Sequence, residues 1–253
     1  MSAKIITIAV KKGGAGKTAT AVNLSALLAR QGSKVLLLDL DEQGNAGSAF
    51  ELDDNKLQDK TLEDVFEGKA SIIEAISQTS LLPTLNVSLN GRQLEVVSSK
   101  IASKRATFVY ALRKFLEPVL KIYDYIIIDT APNFQPLAQA ALLAADKVVV
   151  PVMDINGLDG LLDVKQLIED AETQLGRKIE LRPLYTRANQ RTQAFKKLKE
   201  GVEIQHGLNP FEQPIPIDEN HNKSQITLEP VAILTKPTKS FEAYMSLAEE
   251  ISQ

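Results

Sequence analysis

The sequence predicts a doubly wound α/β fold, a mostly parallel sheet flanked by helices. Three observations predict it. Short β-rich runs alternate with amphipathic helical patterns. Several of those runs are apolar without alternation, as strands buried on both faces of a parallel sheet are. The first run also leads through a glycine-rich loop straight into a helix.

The elements follow in order. "IITIAV" (Ile5–Val10), "KVLLLDL" (Lys34–Leu40), "YDYIIIDT" (Tyr123–Thr130), "KVVVPV" (Lys147–Val152) and "KIELRPLY" (Lys178–Tyr185) read as strands. Helical patterns run from Thr18 to Arg30, then over Lys104–Lys121, Gln135–Ala145, Leu158–Leu175, Gln193–Gln205 and Ser240–Ile251. Residues 43–103 are less regular, with short helices expected at Thr61–Glu67 and Ser71–Ile76. The chain has no long Gly/Ser/Pro linker, repeat or low-complexity tract, so residues 1–253 are expected to form a single domain.

Composition excludes several chemistries. A net charge of −3 gives no whole-protein basic field, so any nucleic-acid binding has to come from a local patch. Cysteine is absent, which removes disulfides, thiolate metal sites, cysteine nucleophiles and iron–sulfur clusters, and fits a reducing cytosol. His206 and His221 are the only histidines, too few for a histidine-rich metal centre. The N-terminal apolar run is too short for a signal peptide, and no run reaches the ~18–20 apolar residues of a membrane span. A soluble protein is expected.

The chemistry gathers at Lys11–Thr18, "KKGGAGKT". It is similar to the phosphate-gripping pattern G-x-x-x-x-G-K-[ST], with Lys11 in place of the first glycine. Gly13, Gly14 and Gly16 allow backbone N–H groups to approach phosphate oxygens, and the following helix N-terminus adds partial positive charge. Lys17 is placed to neutralise β- and γ-phosphates. The Thr18 hydroxyl suits one Mg²⁺ position, because Mg²⁺ takes few protein ligands beside phosphates and water. Asp129 ends the apolar run "YIIID", at the carboxyl edge of the sheet where ligands bind in such folds, and is expected to support the metal. In "DLDEQGNA", Asp39 and Asp41 are two apart and share a strand face. One would serve the outer shell of the metal and the other would orient a water for in-line attack on the γ-phosphorus.

Together "KKGGAGKT…DLDEQGNA…YDYIIIDTAP" resembles the ParA/MinD family of P-loop ATPases with a deviant Walker motif, and specifically its ParA-type DNA-partition branch. The likeness runs over nearly the whole chain, including "TLEDVFEG", "PIPIDENHNKSQITLEPVAIL" and the terminal "SFEAYMSLAEEI". It implies ATP and Mg²⁺ as ligands, with contacts along Gly13, Gly14, Ala15, Gly16, Lys17, Thr18 and Ala19. Asp39 and Asp129 would stand near the metal, Asp41 would act in the hydrolytic switch, and Pro216 and Asp218 would lie near the adenine. Lys12 matches the family's signature lysine, which reaches across an ATP-sandwich dimer to the other subunit's phosphates. The sequence departs from the family pattern at Glu42, Ala19, Asp218 and Asn220, where Pro, Thr, Asn and Arg are usual, and Lys11 has no assigned role.

From Arg177 to Lys199 there are eight basic residues against one acid, Glu180. A stripe of this kind suits salt-sensitive, sequence-independent phosphate contacts. With the resemblance, it points to non-specific DNA binding through Arg187, Arg191, Lys196, Lys197 and Lys199. The tail "FEAYMSLAEEISQ" lacks the Lys/Arg face of an interfacial helix, so no membrane partner is expected. The expected protein is a slow, Mg²⁺-dependent ATPase that partitions DNA, cytoplasmic and nucleoid-associated, with a ParB-like centromere-binding partner. A relative that positions a protein assembly on the nucleoid, or a small-metabolite ATP-dependent enzyme of the same fold, stays open as an alternative.

Overall fold

The structure, a computed structural model, describes residues 2–52, 59–104, 109–133, 135–217 and 238–253. In chain order its main elements are β1 (Lys4–Ile8), α1 (Lys17–Arg30), β2 (Val35–Leu40), α2 (Leu62–Phe66), β3 (Ile76–Gln78) and β4 (Leu85–Ser88). Then come α3 (Leu94–Lys104), α4 (Leu112–Leu116), β5 (Tyr125–Thr130), α5 (Pro136–Ala144), β6 (Lys147–Val152), α6 (Gly157–Leu175), β7 (Glu180–Tyr185), α7 (Gln193–Glu200) and α8 (Lys239–Ser252). The strands form one sheet in the order β3-β4-β2-β5-β1-β6-β7. Every pairing is parallel except β3 with β4.

Burial on both faces explains the unbroken apolar runs. Every residue of β2 and β6 is buried. Alternate residues feed different cores: Val35, Leu37 and Ile127 pack with α1 and α8, while Leu36, Leu38, Ile126 and Ile128 pack with α2 to α5. A third core joins β6 and β7 to α6 and α7 through Val150, Leu161, Val164 and Leu198. By strand parity, Asp39 and Asp129 therefore face the α1 side, the side that carries the glycine loop.

The terminal helix α8 buries Tyr244, Leu247 and Ile251 in the core beneath α1. Among the described residues no helix is long and apolar enough to cross a membrane.

The expected elements are corrected in three places. Among the described residues, the helical pattern over Lys104–Lys121 gives the last residue of α3 and the short α4, which ends before Pro118, a residue with no N–H to continue the ladder, and the chain leaves in tight turns. The real helix is α3, whose Leu94, Val97 and Ile101 face the core at helical spacing within the stretch read as irregular. Ser71–Ile76 gives a single tight turn, Ile72–Ala75, before Ile76 opens β3, and β4 was not foreseen at all. Both strands are too short for a period to register. The Gln193–Gln205 helix is regular only to Glu200, and widens over Gly201–Gln205.

Candidate functional site

The loop between β1 and α1 takes its shape from glycine. Gly14 and Gly16 have φ of 71° and 91°, in the left-handed region that strains any residue with a Cβ. Gly16 is the residue at which α1 begins, and no side chain caps that end. The first-turn N–H groups are thereby left open to a ligand, and an anion is the ligand they favour. Gly13 and Gly14 are exposed and Ala15 is buried, while Thr18 and Ala19 are half-buried at the start of the helix. From the far side, the buried Thr186 hydroxyl donates to the Ala15 carbonyl at 2.8 Å and fixes the loop to the end of β7. The next residue, Arg187, has φ 50° and turns the chain outward.

Lys17 is buried, and its Nζ folds back to donate to the Lys12 carbonyl at 3.3 Å. Burial lowers its pKa, opposed by the neighbouring charges of Asp129 and Asp41. The acids lie just beyond. Asp39 and Asp129 stand directly opposite each other in the β2–β5 register, and Ile8, the last residue of β1, flanks Asp129 on the other side. Burial first, and then Asp39, pushes the Asp129 carboxyl up to about 8, against the pull of the Thr18 hydroxyl and Lys17. Asp129 Oδ1 accepts its neighbour's N–H, from Thr130, but Oδ2 is fully buried and has no hydrogen-bond partner. A buried carboxylate oxygen left orphaned is unusual and points to an absent water, ion or ligand.

Asp39 has other work. Its Oδ1 accepts from Asp41 N–H at 3.0 Å, and its Oδ2 from Ala46 and Gly47 N–H at 2.9 and 3.0 Å. Burial raises its pKa to about 6 despite those donors. Both oxygens of Asp39, expected near the metal, also shape the turn after β2. Asp41 is half-buried at the start of that turn, its Oδ1 accepting from Gln43 N–H at 3.0 Å.

Lys12 is not turned to solvent. Its Nζ lies 2.6 and 2.8 Å from the two carboxylate oxygens of Asp154, just past β6. Asp154 also accepts from Gly157 N–H at the start of α6, and the Lys12 contact draws its pKa down.

Comparison with known proteins matches this geometry to a family. The AAA domain family matches residues 3–181. The chain is 30% identical over 252 residues to the chromosome partitioning protein ParA of Caulobacter vibrioides, covering 98% of this chain and 93% of that one. It is also 30% identical over 256 residues to the sporulation initiation inhibitor protein Soj of Bacillus subtilis, covering 98% of each. The chain belongs to the ParA family of ATPases.

Among solved structures, the ParA-family fold of this chain superposes with a TM-score of 0.82 on cobyrinic acid a,c-diamide synthase of Mycobacterium smegmatis with bound ADP and magnesium. That pair is 25% identical, over 99% of this chain and 94% of the other.

The basic stripe of this ParA-family chain divides in two. Arg177 donates to the Leu143 and Ala145 carbonyls, Lys178 pairs with Glu172, and Arg182 pairs with Glu250 and stacks on Phe211. Arg177 and Arg182 are largely covered and tie elements of the fold together, while Lys178 makes an exposed surface pair. Arg187, Arg191, Lys196, Lys197 and Lys199 are all exposed, on or just before α7, and among the described residues only Lys199 of these has an acid within reach, Glu203 at 3.8 Å. Only Leu198 of α7 is buried, which leaves its remaining faces to solvent. Pro216 bridges to Ala188 beside the end of β7, two residues past Thr186. Asp218 lies outside the described residues.

Sequence reasoning missed Asp154, Ser88, Asn90, Glu63 and Thr186, all of which touch the loop, the turn after β2, or their supports. One signal was available for the first and last. Both follow strands β6 and β7 at the same carboxyl edge as the loop, where this architecture gathers its ligand-binding groups.

Proposed function

We propose that this chain is a Mg²⁺-dependent DNA-partition ATPase. It forms an ATP-sandwich dimer that binds DNA non-specifically, hydrolyses slowly under stimulation by a ParB-like centromere-binding partner, and leaves DNA afterwards. The observation that carries the reading is the orphaned, buried Asp129 Oδ2 beside Lys17, beneath an uncapped helix N-terminus. Asp129 and Asp41 stand near one buried lysine, with Asp39 beside Asp129, too little positive charge for a triphosphate, and a divalent cation would correct that shortfall. Among the described residues no cluster of three or more His, Cys, Asp or Glu is arranged to hold a metal alone. A cation here shares its coordination with phosphate and water, as Mg²⁺ prefers. When bound, Mg²⁺ would offset the charge that develops in phosphoryl transfer.

The chain's own groups do the rest. The backbone of Gly13, Gly14, Ala15 and Gly16 cradles phosphates, and Ala19 continues that contact into α1. Lys17 neutralises them, and the Thr18 hydroxyl with Asp129 holds the cation. Asp39 shapes the turn that presents Asp41, and Asp41 orients the attacking water. Pro216 and Asp218 border the adenine. Lys12 leaves Asp154 to meet the phosphates of the other subunit. The name and full-length likeness of the Caulobacter relative favour partition over the diamide synthase activity of the Mycobacterium neighbour. In this reading the protein works in the cytoplasm on the nucleoid.

The deciding experiment is retention on non-specific DNA with ATP, with ADP and without nucleotide. Retention only with ATP is expected; equal retention in all three removes the partition cycle. The exposed cations set its salt dependence. Replacing Arg187 and Arg191 by Glu is expected to flatten the slope of log K against log salt by about 1.8, one phosphate contact each. An unchanged slope takes those two residues out of the interface.

Lys12→Ala is expected to abolish ATP-dependent dimerisation, measured by light scattering, while the protein stays folded. The Lys12–Asp154 pair is partly exposed on both sides, and such pairs are worth at most about 1 kcal/mol. A variant that dimerises normally with ATP refutes the trans role.

A further inference from the structure

The turn that carries Asp41 is held from outside by a chain of polar contacts far along the sequence. Asn90, just beyond β4, donates its side-chain amide to the carbonyls of Asp39 at 2.7 Å and Asp41 at 3.2 Å. Asp39 N–H donates to Ser88 Oγ at 2.9 Å, and the Ser88 hydroxyl in turn donates to Asn90 Oδ1 at 3.3 Å. The loop is then pinned at its far end. The buried Glu63 carboxylate accepts from Gly91 N–H at 2.7 Å and from Gln93 N–H at 3.1 Å. A Cβ on residue 91 would run into that carboxylate and push it from its place.

Position gives the clamp its meaning. A cleft of about 550 Å³ opens beside the turn, with Asp39, Gln43, Gly47, Ser88, Asn90 and Arg92 on its walls. Asn90 is the polar side chain that spans both carbonyls on that side. An amide that bridges two carbonyls of one short segment fixes its path more tightly than either bond alone.

We propose that Asn90, braced by Ser88 and Glu63, is a positioning residue for hydrolysis, setting where the Asp41 carboxylate stands without touching nucleotide. The proposal rests on the reading of Asp41 as the water-orienting group. An attacking water tolerates little misplacement, and an ångström of error in such a group costs up to about a hundredfold in rate.

The test compares wild type, Asn90→Asp, Asn90→Ser, Asp41→Ala and the Asp41→Ala/Asn90→Asp double variant. Hydrolysis is followed with saturating ATP and Mg²⁺, and nucleotide affinity with a fluorescent ATP analogue. Asn90→Asp keeps the shape but turns the donor into an acceptor facing two carbonyls; Asn90→Ser removes the reach and stands in should the first variant not fold. The expected result is a kcat about tenfold lower, with KM and analogue affinity within about twofold of wild type. Amide exchange over residues 41–47 is expected to speed up. In the Asp41→Ala background the Asn90 change is expected to cost nothing more, because the group it positions is gone.

Wild-type kcat in both Asn90 variants beside an inactive Asp41→Ala protein sinks the clamp and spares Asp41. Raised KM at unchanged kcat, unaltered exchange, or losses that add in the double variant also overturn it. Wild-type hydrolysis by Asp41→Ala removes the reading of Asp41, and the clamp with it.

Discussion

Asp41→Ala hydrolyses ATP at about one-hundredth of the wild-type rate or less, yet still assembles an ATP-dependent dimer. The magnitude is that of losing a positioned group that handles the attacking water. The separation of the two effects follows from the site. The groups assigned to grip phosphate are the loop backbone, Lys17 and Thr18, none of which needs the Asp41 carboxylate for its own geometry. Asp41 is held by Gln43 N–H and by the backbone contacts of its turn, so its removal leaves the loop intact. Size-exclusion chromatography with ATP and Mg²⁺, run beside a phosphate-release assay, makes the measurement. Rapid return to monomer, or undiminished phosphate release, would show that Asp41 does not govern the chemical step.

Asp129→Asn has the second large effect, and it acts in opposite directions on stability and activity. In the folded protein the carboxyl is pushed up to about 8, whereas it titrates near 3.8 in the ordinary case. A raised carboxyl binds its proton more tightly in the folded state. Its stabilising contribution is therefore complete below pH ~4, fades as pH rises, and is fully lost above about 8. At pH 7 the fold must keep this carboxyl largely protonated while the unfolded chain ionises it freely, which costs the nucleotide-free protein on the order of a few kcal/mol. Asparagine keeps the shape and removes the charge, so Tm without nucleotide is expected to rise by ~5 °C or more at pH 7. That gap should shrink toward pH 4. Asp39, raised to about 6 in the same cluster, has the same sign over a narrower window. Hydrolysis by the variant is expected to fall about a hundredfold, since charge at the metal is what the site supplies. Scanning calorimetry from pH 4 to 8 tests the first half. A Tm difference that is flat with pH, or a variant less stable than wild type at pH 7, contradicts a buried, strained Asp129. Such a trade of stability for chemistry is common where an acid is buried to hold a ligand.

What the sequence made legible is local. Gly13 to Thr18 are contiguous and preceded by a strand, so their purpose can be read from spacing alone. Asp129 closes an apolar run, and Asp39 and Asp41 share a strand parity. What it hid is contact across the sheet. Lys12 and Asp154 are 142 residues apart, and Asn90 lies 49 residues from Asp41. A polar residue after a strand is so common that only strand order gives one of them meaning, and strand order needs β4, four residues long and invisible to periodicity. The same blindness misplaced α3 and overextended α4. The basic stripe was legible as charge but not as use: Arg177, Lys178 and Arg182 looked like their neighbours until their partners appeared.

The Thr186 hydroxyl that grips the Ala15 carbonyl adjoins, through a single peptide bond, the first of the solvent-facing cations. The proposed nucleotide pocket and the proposed DNA-facing cations thus share one stretch of main chain, and the path between them is a single residue long.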